Sequence, residues 1–313
     1  MTGKLLEGLD SLPSEARQGV LTIGNFDGVH VGHQRIVSKA KELATSQAAV
    51  VVAMTFDPPP DLVLRPADAP ERLTLNEQKG QRLISRGADW VVAARPTHEL
   101  LALTGEAFIE RVIVGCFAPR YMVEGHNFLF GRERSGTIET LREAGPSSGF
   151  QLHVVEPVLL DFPQGPQRVS STLIRNFLRA GNVEQANRCL EREFALCGRV
   201  VAGQGQGRRL TYPTVNINPG EQIVPADGVY AGRGELGGRE YLAAISIGNK
   251  PTLGPAARRV VEAHLLDAQG DFYEQAITLR FVRRMRDQRR FEGPEALKAQ
   301  ITKDTQHVRD ILG

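Results

Sequence analysis

Along the first 190 residues, short continuous apolar runs alternate with apolar stripes at helical spacing. Residues 20–23 are an apolar run that ends in the polar, glycine-rich segment GNFDGVHVGHQ. Ile36, Val37, Ala40, Leu43 and Ala44 then recur at helical spacing, and residues 48–56 (AAVVVAMTF) form a run of strand length. The DPPP segment at 57–60 interrupts the pattern, because proline continues neither a ladder nor a helix. A helix over 77–85, a strand over 90–94, a helix from Thr104 through Phe108, Ile109, Val112 and Ile113, and strands over 121–124 and 152–158 follow. Ser170 is a good N-cap for a helix whose core stripe is Ile174, Phe177 and Leu178 and which Gly181 ends. Strands alternating with helices predict a parallel sheet covered on both faces.

From about Glu191 the helical period disappears. Strand-like runs over 196–202, 212–217, 228–236 and 239–247 are separated by glycine turns, Gly237 and Gly238 marking a hairpin. Runs over 260–266 and 276–282 flank AQGD, a second hairpin candidate. Short strands with such turns predict a small β-barrel. A terminal helix opens at Gly293 and Pro294 and carries Leu297, Ile301, Val308 and Ile311 on one face. The expected boundary divides the chain into domains 1–190 and 191–313.

With 313 residues, 41% of them hydrophobic, the chain is long enough for two cores. A formal charge of +2 predicts neither a nucleic-acid nor a membrane partner. The arginine-rich stretch 283–290 is interrupted by Asp287 and lacks interleaved aromatics, which argues against nucleic acid. No segment approaches the ~20 consecutive apolar residues of a membrane helix and no signal-peptide pattern opens the chain, so the cytoplasm is expected. Cys116, Cys189 and Cys197 lie in apolar segments and read as reduced structural thiols. Oligomeric state is left open.

Candidate chemistry begins at the strand-to-helix junction. Gly24, Gly28 and Gly32 allow a sharp turn and close approach to a ligand, and His30 and His33 fall on one side of the first helical turn. Backbone N–H groups and a helix dipole at the end of a sheet strand suit a phosphate, so the segment reads as a nucleotide α-phosphate site. A zinc site needs three or four ligands and no other His or Cys has the spacing. A core histidine pair conflicts with the polar neighbours Asn25 and Asp27. In the second half, the Gly/Arg loop 203–209 (GQGQGRR) reads either as a phosphate cradle or as a solvated linker. Glu262 stands alone among apolar residues in VVEAHLLD, a pattern that by itself describes a solvent-facing strand residue.

GNFDGVHVGHQ resembles the signature of HxGH nucleotidylyltransferases, and the chain from Val20 to Leu312 resembles the bacterial bifunctional riboflavin kinase/FMN adenylyltransferase (FAD synthetase) family. That resemblance implies an α/β fold: a Rossmann-like nucleotidylyltransferase domain, then a small β-barrel kinase domain with a terminal helix. It implies phosphorylation of riboflavin to FMN and adenylyl transfer from ATP to FMN, giving FAD and pyrophosphate, each with Mg²⁺. His30 and His33 are the implied catalytic pair, with Gly24, Asn25, Phe26, Asp27, Gly28 and Gly32 around the nucleotide. VSSTLIR resembles the family's SSTxIR motif, which adds Ser170, Ser171, Thr172 and Arg175 to the phosphates. VEGHNFLFGRERSG implies flavin contact at Asn127 and Phe128, beside Gly131. YPTVN resembles the kinase PTxN motif, implying Thr214 and Asn216 at the metal, with Gly203, Gly205, Gly207 and Arg208 at the phosphates, Glu262 as base and Arg286 near the flavin. One departure is plain: where the family has an acidic residue, Pro, His and Pro, this chain has Asp57, Pro58, Pro59 and Pro60.

Overall fold

The computed structural model describes residues 3–10, 12–201, 214–249, 259–270, 272–289 and 291–313. Two compact units divide between Ser171 and Thr172.

The first unit contains β1 (Lys4–Glu7), β2 (Val20–Ile23), α1 (Val31–Ser46), β3 (Val51–Phe56), α2 (Pro60–Leu64), α3 (Asn76–Ser85), β4 (Trp90–Ala94) and α4 (His98–Leu101). Next come α5 (Gly105–Phe108), which runs into a π-helical turn over Ile109–Phe117, then β5 (Tyr121–Gly125), α6 (Ile138–Ser148), β6 (Gln151–Val155), and the paired strands β7 (Leu159–Phe162) and β8 (Gly165–Arg168). The main sheet has the order β1-β4-β3-β2-β5-β6 and every pairing in it is parallel. Its apolar runs are continuous because both faces are buried. Val20, Val51, Ala53, Val91 and Val123 pack with Val37, Ala40 and Leu83 of α1 and α3. Their alternate neighbours Leu21, Val52, Met54, Val92 and Met122 pack with Phe108, Ile113, Phe117 and Leu141 on the other face. Burial thiols match this interior: desolvation raises the Cys116 pKa, and in the second unit pushes Cys189 up to about 11, so neither is a reactive thiolate.

The second unit holds most of α7 (Ser171–Arg179), α8 (Val183–Leu190), strands β9 (Phe194–Val201), β10 (Thr214–Asn218), β11 (Gly228–Leu236), β12 (Arg239–Asn249), β13 (Arg259–Leu265) and β14 (Ala276–Arg286), and a terminal helix over Pro294–Leu312. The strands close as β10-β13-β12-β11-β14-β9, antiparallel throughout. The compact division precedes the 190/191 expectation because α7 and α8 hold to the barrel. Asn187 donates to Phe281 O (2.8 Å) and accepts from Phe194 N–H (2.7 Å), while Ala226 N–H donates to Leu178 O (2.9 Å). The 260–266/276–282 hairpin does not form. β13 lies between β10 and β12, and β14 between β11 and β9, so barrel closure puts the two on opposite sides. Strand β1, the β7/β8 pair and α8 were not expected from the pattern.

Among the described residues no helix is long and apolar enough to cross a membrane. The β11/β12 hairpin turns at Gly237 and Gly238, whose φ values of 57° and 74° make a left-handed pair. A Cβ at Gly238 would meet nothing within 4 Å, so only backbone conformation resists substitution there. Gly238→Val should therefore destabilise the barrel by about 1–3 kcal/mol, read as a lowered denaturant midpoint.

Candidate functional site

The segment joining β2 to α1 holds Phe26, Gly28 and Val29 at positive φ (46°, 85° and 40°). A β-branched valine resists that conformation, so the surroundings must impose it. They do so through Asp27. Its carboxylate accepts the N–H groups of Leu73 (3.0 Å) and Thr74 (3.1 Å) and the Thr74 hydroxyl (3.3 Å). In return Gly28 N–H donates to Thr74 Oγ1 at 3.0 Å. Ser171 donates its hydroxyl to the Asp27 carbonyl (2.8 Å), and Thr55 donates to the Asn25 carbonyl (3.2 Å). Asp27 and Ser171, expected at the phosphates, thus make hydrogen bonds that shape the loop.

The shaped loop sets the histidines. His30 caps α1, its Nδ1 accepting His33 N–H at 3.4 Å. The two imidazoles stack with centroids 3.6 Å apart and 19° between planes, and the Phe26 ring meets His33 edge-on at 5.3 Å. Gly32 leaves room for them, since a Cβ there would lie 3.1 Å from the His30 ring. Burial, then the neighbouring His30 and Lys79 charges, hold the His33 pKa well below its ordinary value. His33 Nδ1 is buried and without a hydrogen-bond partner among the described residues. An N-terminus of a 16-residue helix flanked by such imidazoles can receive an anion.

Charged groups lie close by. Lys79 of α3 is 5% exposed and donates to Phe56 O at the end of β3 (3.0 Å). Arg72 pairs with Asp57 at 3.1 Å. Desolvation lowers the Lys79 pKa to about 8 against the opposing pull of Asp27 and Asp57, with Arg72 adding to the fall. On the other side of β2, the ladder to β5 is registered only at Val20↔Tyr121 and Leu21↔Met122. Beyond it the buried Glu124 carboxylate accepts Ile23 N–H at 2.7 Å. Burial raises its pKa well above the carboxylate range, opposed by that hydrogen bond.

The remaining expected residues are distributed as follows. Asn127 is exposed and Phe128 half-buried, stacked on Phe130 at 5.4 Å; Gly131 has φ 73°. Ser170 precedes α7, on which Thr172 is exposed and Arg175 buried. In the barrel, Val215, Ile217, Val261 and Ala263 face inward and leave Thr214, Asn216 and Glu262 on the opposite face. Register places Asn216 and Ser246 directly across from Glu262, and Thr214 across from His264. Gln288 donates to Ser246 Oγ at 2.7 Å. Arg286 gives its guanidinium to Asp304 of the terminal helix, Nε at 3.0 Å and an Nη at 2.6 Å. Gly203, Gly205, Gly207 and Arg208 lie outside the described residues.

Comparison with known proteins decides what these two sites belong to. A family model described as FAD synthetase matches residues 12–173, and one described as riboflavin kinase matches 190–312. A protein of Pseudomonas fluorescens named bifunctional riboflavin kinase/FMN adenylyltransferase is 35% identical over 308 residues, covering 98% of this chain and 97% of its own. Its namesake from Escherichia coli K12 is 34% identical over 312 residues, covering 99% and 98%. The chain belongs to the bifunctional riboflavin kinase/FMN adenylyltransferase family. A solved structure named "Macrolide-efflux Protein from Streptococcus pneumoniae" is also similar, with a TM-score of 0.86, 25% identity and 99% of each chain covered.

For this family member, sequence reasoning passed over Arg72, Thr74, Lys79 and Glu124. A signal existed for two of them: Lys79 sits one helical turn before the buried Leu83, on the core side of α3, and Glu124 interrupts an otherwise apolar strand. Thr74 and Arg72 carry no pattern of their own.

Two outcomes follow for the adenylyltransferase unit. Asp27→Ala removes an anionic acceptor from three donors and should cost about 2–3 kcal/mol of that unit's stability, measured by denaturant melt with fluorescence of Trp90. Because the folded protein holds the Glu124 proton beyond the ordinary carboxylate range, folding binds a proton there, and stability falls as pH rises out of that range. Glu124→Gln, which keeps an acceptor for Ile23 N–H, should flatten this slope, gaining on the native chain as pH is raised from 5 to 8.

Proposed function

We propose that His30 and His33 act on the α-phosphate of ATP in one unit, and that Glu262, with Thr214 and Asn216, serves phosphoryl transfer in the barrel. The family supplies the overall activity: this enzyme is a transferase of FAD biosynthesis, converting riboflavin to FMN and FMN to FAD with ATP as the donor. The single observation that carries the residue assignment is the stacked imidazole pair on the α1 N-terminus, aimed where a strand of the open sheet ends.

In the barrel, Glu262 takes the proton from the ribityl 5′-hydroxyl as that oxygen bonds to the γ-phosphorus and the bond to ADP breaks. Its cross-strand neighbour Asn216 and the adjacent Thr214 offer a carboxamide and a hydroxyl, hard oxygen donors that fit Mg²⁺. When bound with ATP the cation neutralises phosphate charge. Gly203, Gly205, Gly207 and Arg208 cradle the phosphates. In the other unit an FMN phosphate oxygen bonds to the α-phosphorus and the bond to pyrophosphate breaks. His30, His33 and the helix N-terminus stabilise charge on the phosphoryl oxygens, with Ser170, Ser171, Thr172 and Arg175 on the phosphates. Gly24, Asn25, Phe26, Asp27, Gly28 and Gly32 shape the pocket. Asn127, Phe128 and Arg286 are assigned to flavin, the last held in place by Asp304. The functional division falls at 190/191, supported by the start of the kinase match. Three free cysteines suit a cytoplasmic enzyme.

A second reading, a weakened adenylyltransferase, rests on Pro59 where the family has histidine. Chromatographic time courses of flavin-stripped protein with MgATP and either riboflavin or FMN separate the two. The expected result is FAD from both flavins; accumulation that stops at FMN favours the second reading. Glu262→Ala should lower FMN formation by about 10²–10⁴-fold and spare FAD formation from FMN, with His30→Ala doing the reverse. A variant pattern that ignores this division overturns the assignment.

A further inference from the structure

The roles assigned to the barrel leave Ser246 and Gln288 unused. Ser246 stands on β12 between the buried Ile245 and Ile247, so it shares the face opposite the barrel interior with Glu262, its cross-strand partner on β13. Asn216 of β10 is the partner of Glu262 on the other side, and the three residues form one polar row across neighbouring strands. Cross-strand partners carry their Cβ atoms about 5 Å apart, within reach of a hydroxyl and a carboxylate. Gln288, just beyond the end of β14, reaches over the start of β11 to this row. Its side-chain nitrogen lies 2.7 Å from Ser246 Oγ, 3.0 Å from Ile247 O and 3.4 Å from Gly228 O. Carbonyls only accept, so the atom facing them is the amide nitrogen and it donates. Ser246 Oγ therefore accepts from Gln288 and keeps its own proton to give. Among the described residues that hydroxyl makes no other hydrogen bond.

We infer that Ser246 is a positioning residue for the phosphorylation of riboflavin: fixed as an acceptor by Gln288, it turns its hydroxyl proton to the Glu262 carboxylate and holds that carboxylate in line for the ribityl hydroxyl. This rests on the assignment of Glu262 as the base. A carboxylate accepts at about four positions, so the bond adds to whatever else Glu262 engages. A hydrogen bond to an ionised group is also stronger than one between neutral groups. Ser246 transfers no proton. The proton of the 5′-hydroxyl goes to Glu262 as that oxygen bonds to the γ-phosphorus and the bond to ADP breaks. The serine therefore acts on the rate of the bound complex and not on the binding of either substrate. Gln288 acts one step further back, by setting the direction of the hydroxyl.

The test compares Ser246→Thr with Ser246→Val, two substitutions of matching shape that differ in the hydroxyl and both suit a strand. Steady-state FMN formation from riboflavin and MgATP is the readout, with a thermal melt by circular dichroism for each variant. Ser246→Thr should keep kcat within about threefold of the native chain, whereas Ser246→Val should lower kcat by about 10–100-fold and move KM for ATP and riboflavin by less than about threefold. Gln288→Ala should lower kcat by about three- to tenfold in the native chain and no further in Ser246→Val, because it acts through the hydroxyl. Ser246→Val should likewise add no loss to Glu262→Ala. Equal kcat in the threonine and valine variants, a loss carried by KM, or an undiminished valine effect on top of Glu262→Ala overturns the inference. Where Ser246→Val does not fold, Ser246→Ala removes the hydroxyl without added bulk and takes its place in the same comparison. If Glu262→Ala loses FMN formation while Ser246→Val matches Ser246→Thr, only the role of Ser246 fails. If Glu262→Ala retains full FMN formation, the assignment of the base itself fails.

Discussion

The Asp27 carboxylate is the constraint on which the shape of the histidine loop depends. A loop with three positive-φ residues, one of them valine, stores backbone strain of about 1–3 kcal/mol per ordinary residue. Asp27 offsets it by accepting from the backbone of Leu73 and Thr74, and Gly28 answers with a donor to Thr74. The bonds run between residues 46 or 47 positions apart, so the loop is held by the segment leading into α3 and not by its own sequence. What this secures is the placement of His30 as the cap of α1, with its ring against His33.

Around that loop the polar groups sit where the sheet changes direction of winding, between β2 and β5, and at the adjacent end of β3. Each perturbed group is shifted toward losing its charge: His33 and Lys79 downward, Glu124 upward, with desolvation the largest cause in all three. A site covered by apolar layers on both faces cannot keep isolated charges cheaply. Burial thus favours the neutral forms of His33 and Glu124 beside the N-terminus of α1.

The barrel solves its problem by register. Antiparallel pairing sets Asn216 and Ser246 across from Glu262, while Val215, Ile217, Val261 and Ala263 fill the interior. A slip of one residue along β10 would turn the polar set inward and the core outward, so burial of the valines specifies the alignment of the polar face. The terminal helix is tied to the same barrel by Arg286 and Asp304 and by Val308 against Ala231, Ala244 and Leu266.

Periodicity alone determined the alternation of β2, α1, β3, α3, β4, β5 and β6, the change to short strands after residue 190, the β11/β12 turn and the terminal helix, because those features are set by local spacing of apolar residues and by glycine and proline. The motif spacing likewise pointed to both candidate sites, since a glycine-rich histidine loop and a lone strand carboxylate leave short, contiguous traces. Short edge elements such as β1 and the β7/β8 pair were not legible, having too few residues to show a period. The barrel neighbours of β13 and β14 were equally hidden, because closure pairs strands distant in the chain and the local AQGD turn suggested otherwise. Only the tertiary structure decided that Asp27 clasps Thr74, that Lys79 is buried against the Phe56 carbonyl and that Glu124 takes the Ile23 amide. These choices depend on burial and on partners tens of residues away, and the physical reason they escape the sequence is that a charged residue's meaning is set by what is packed against it.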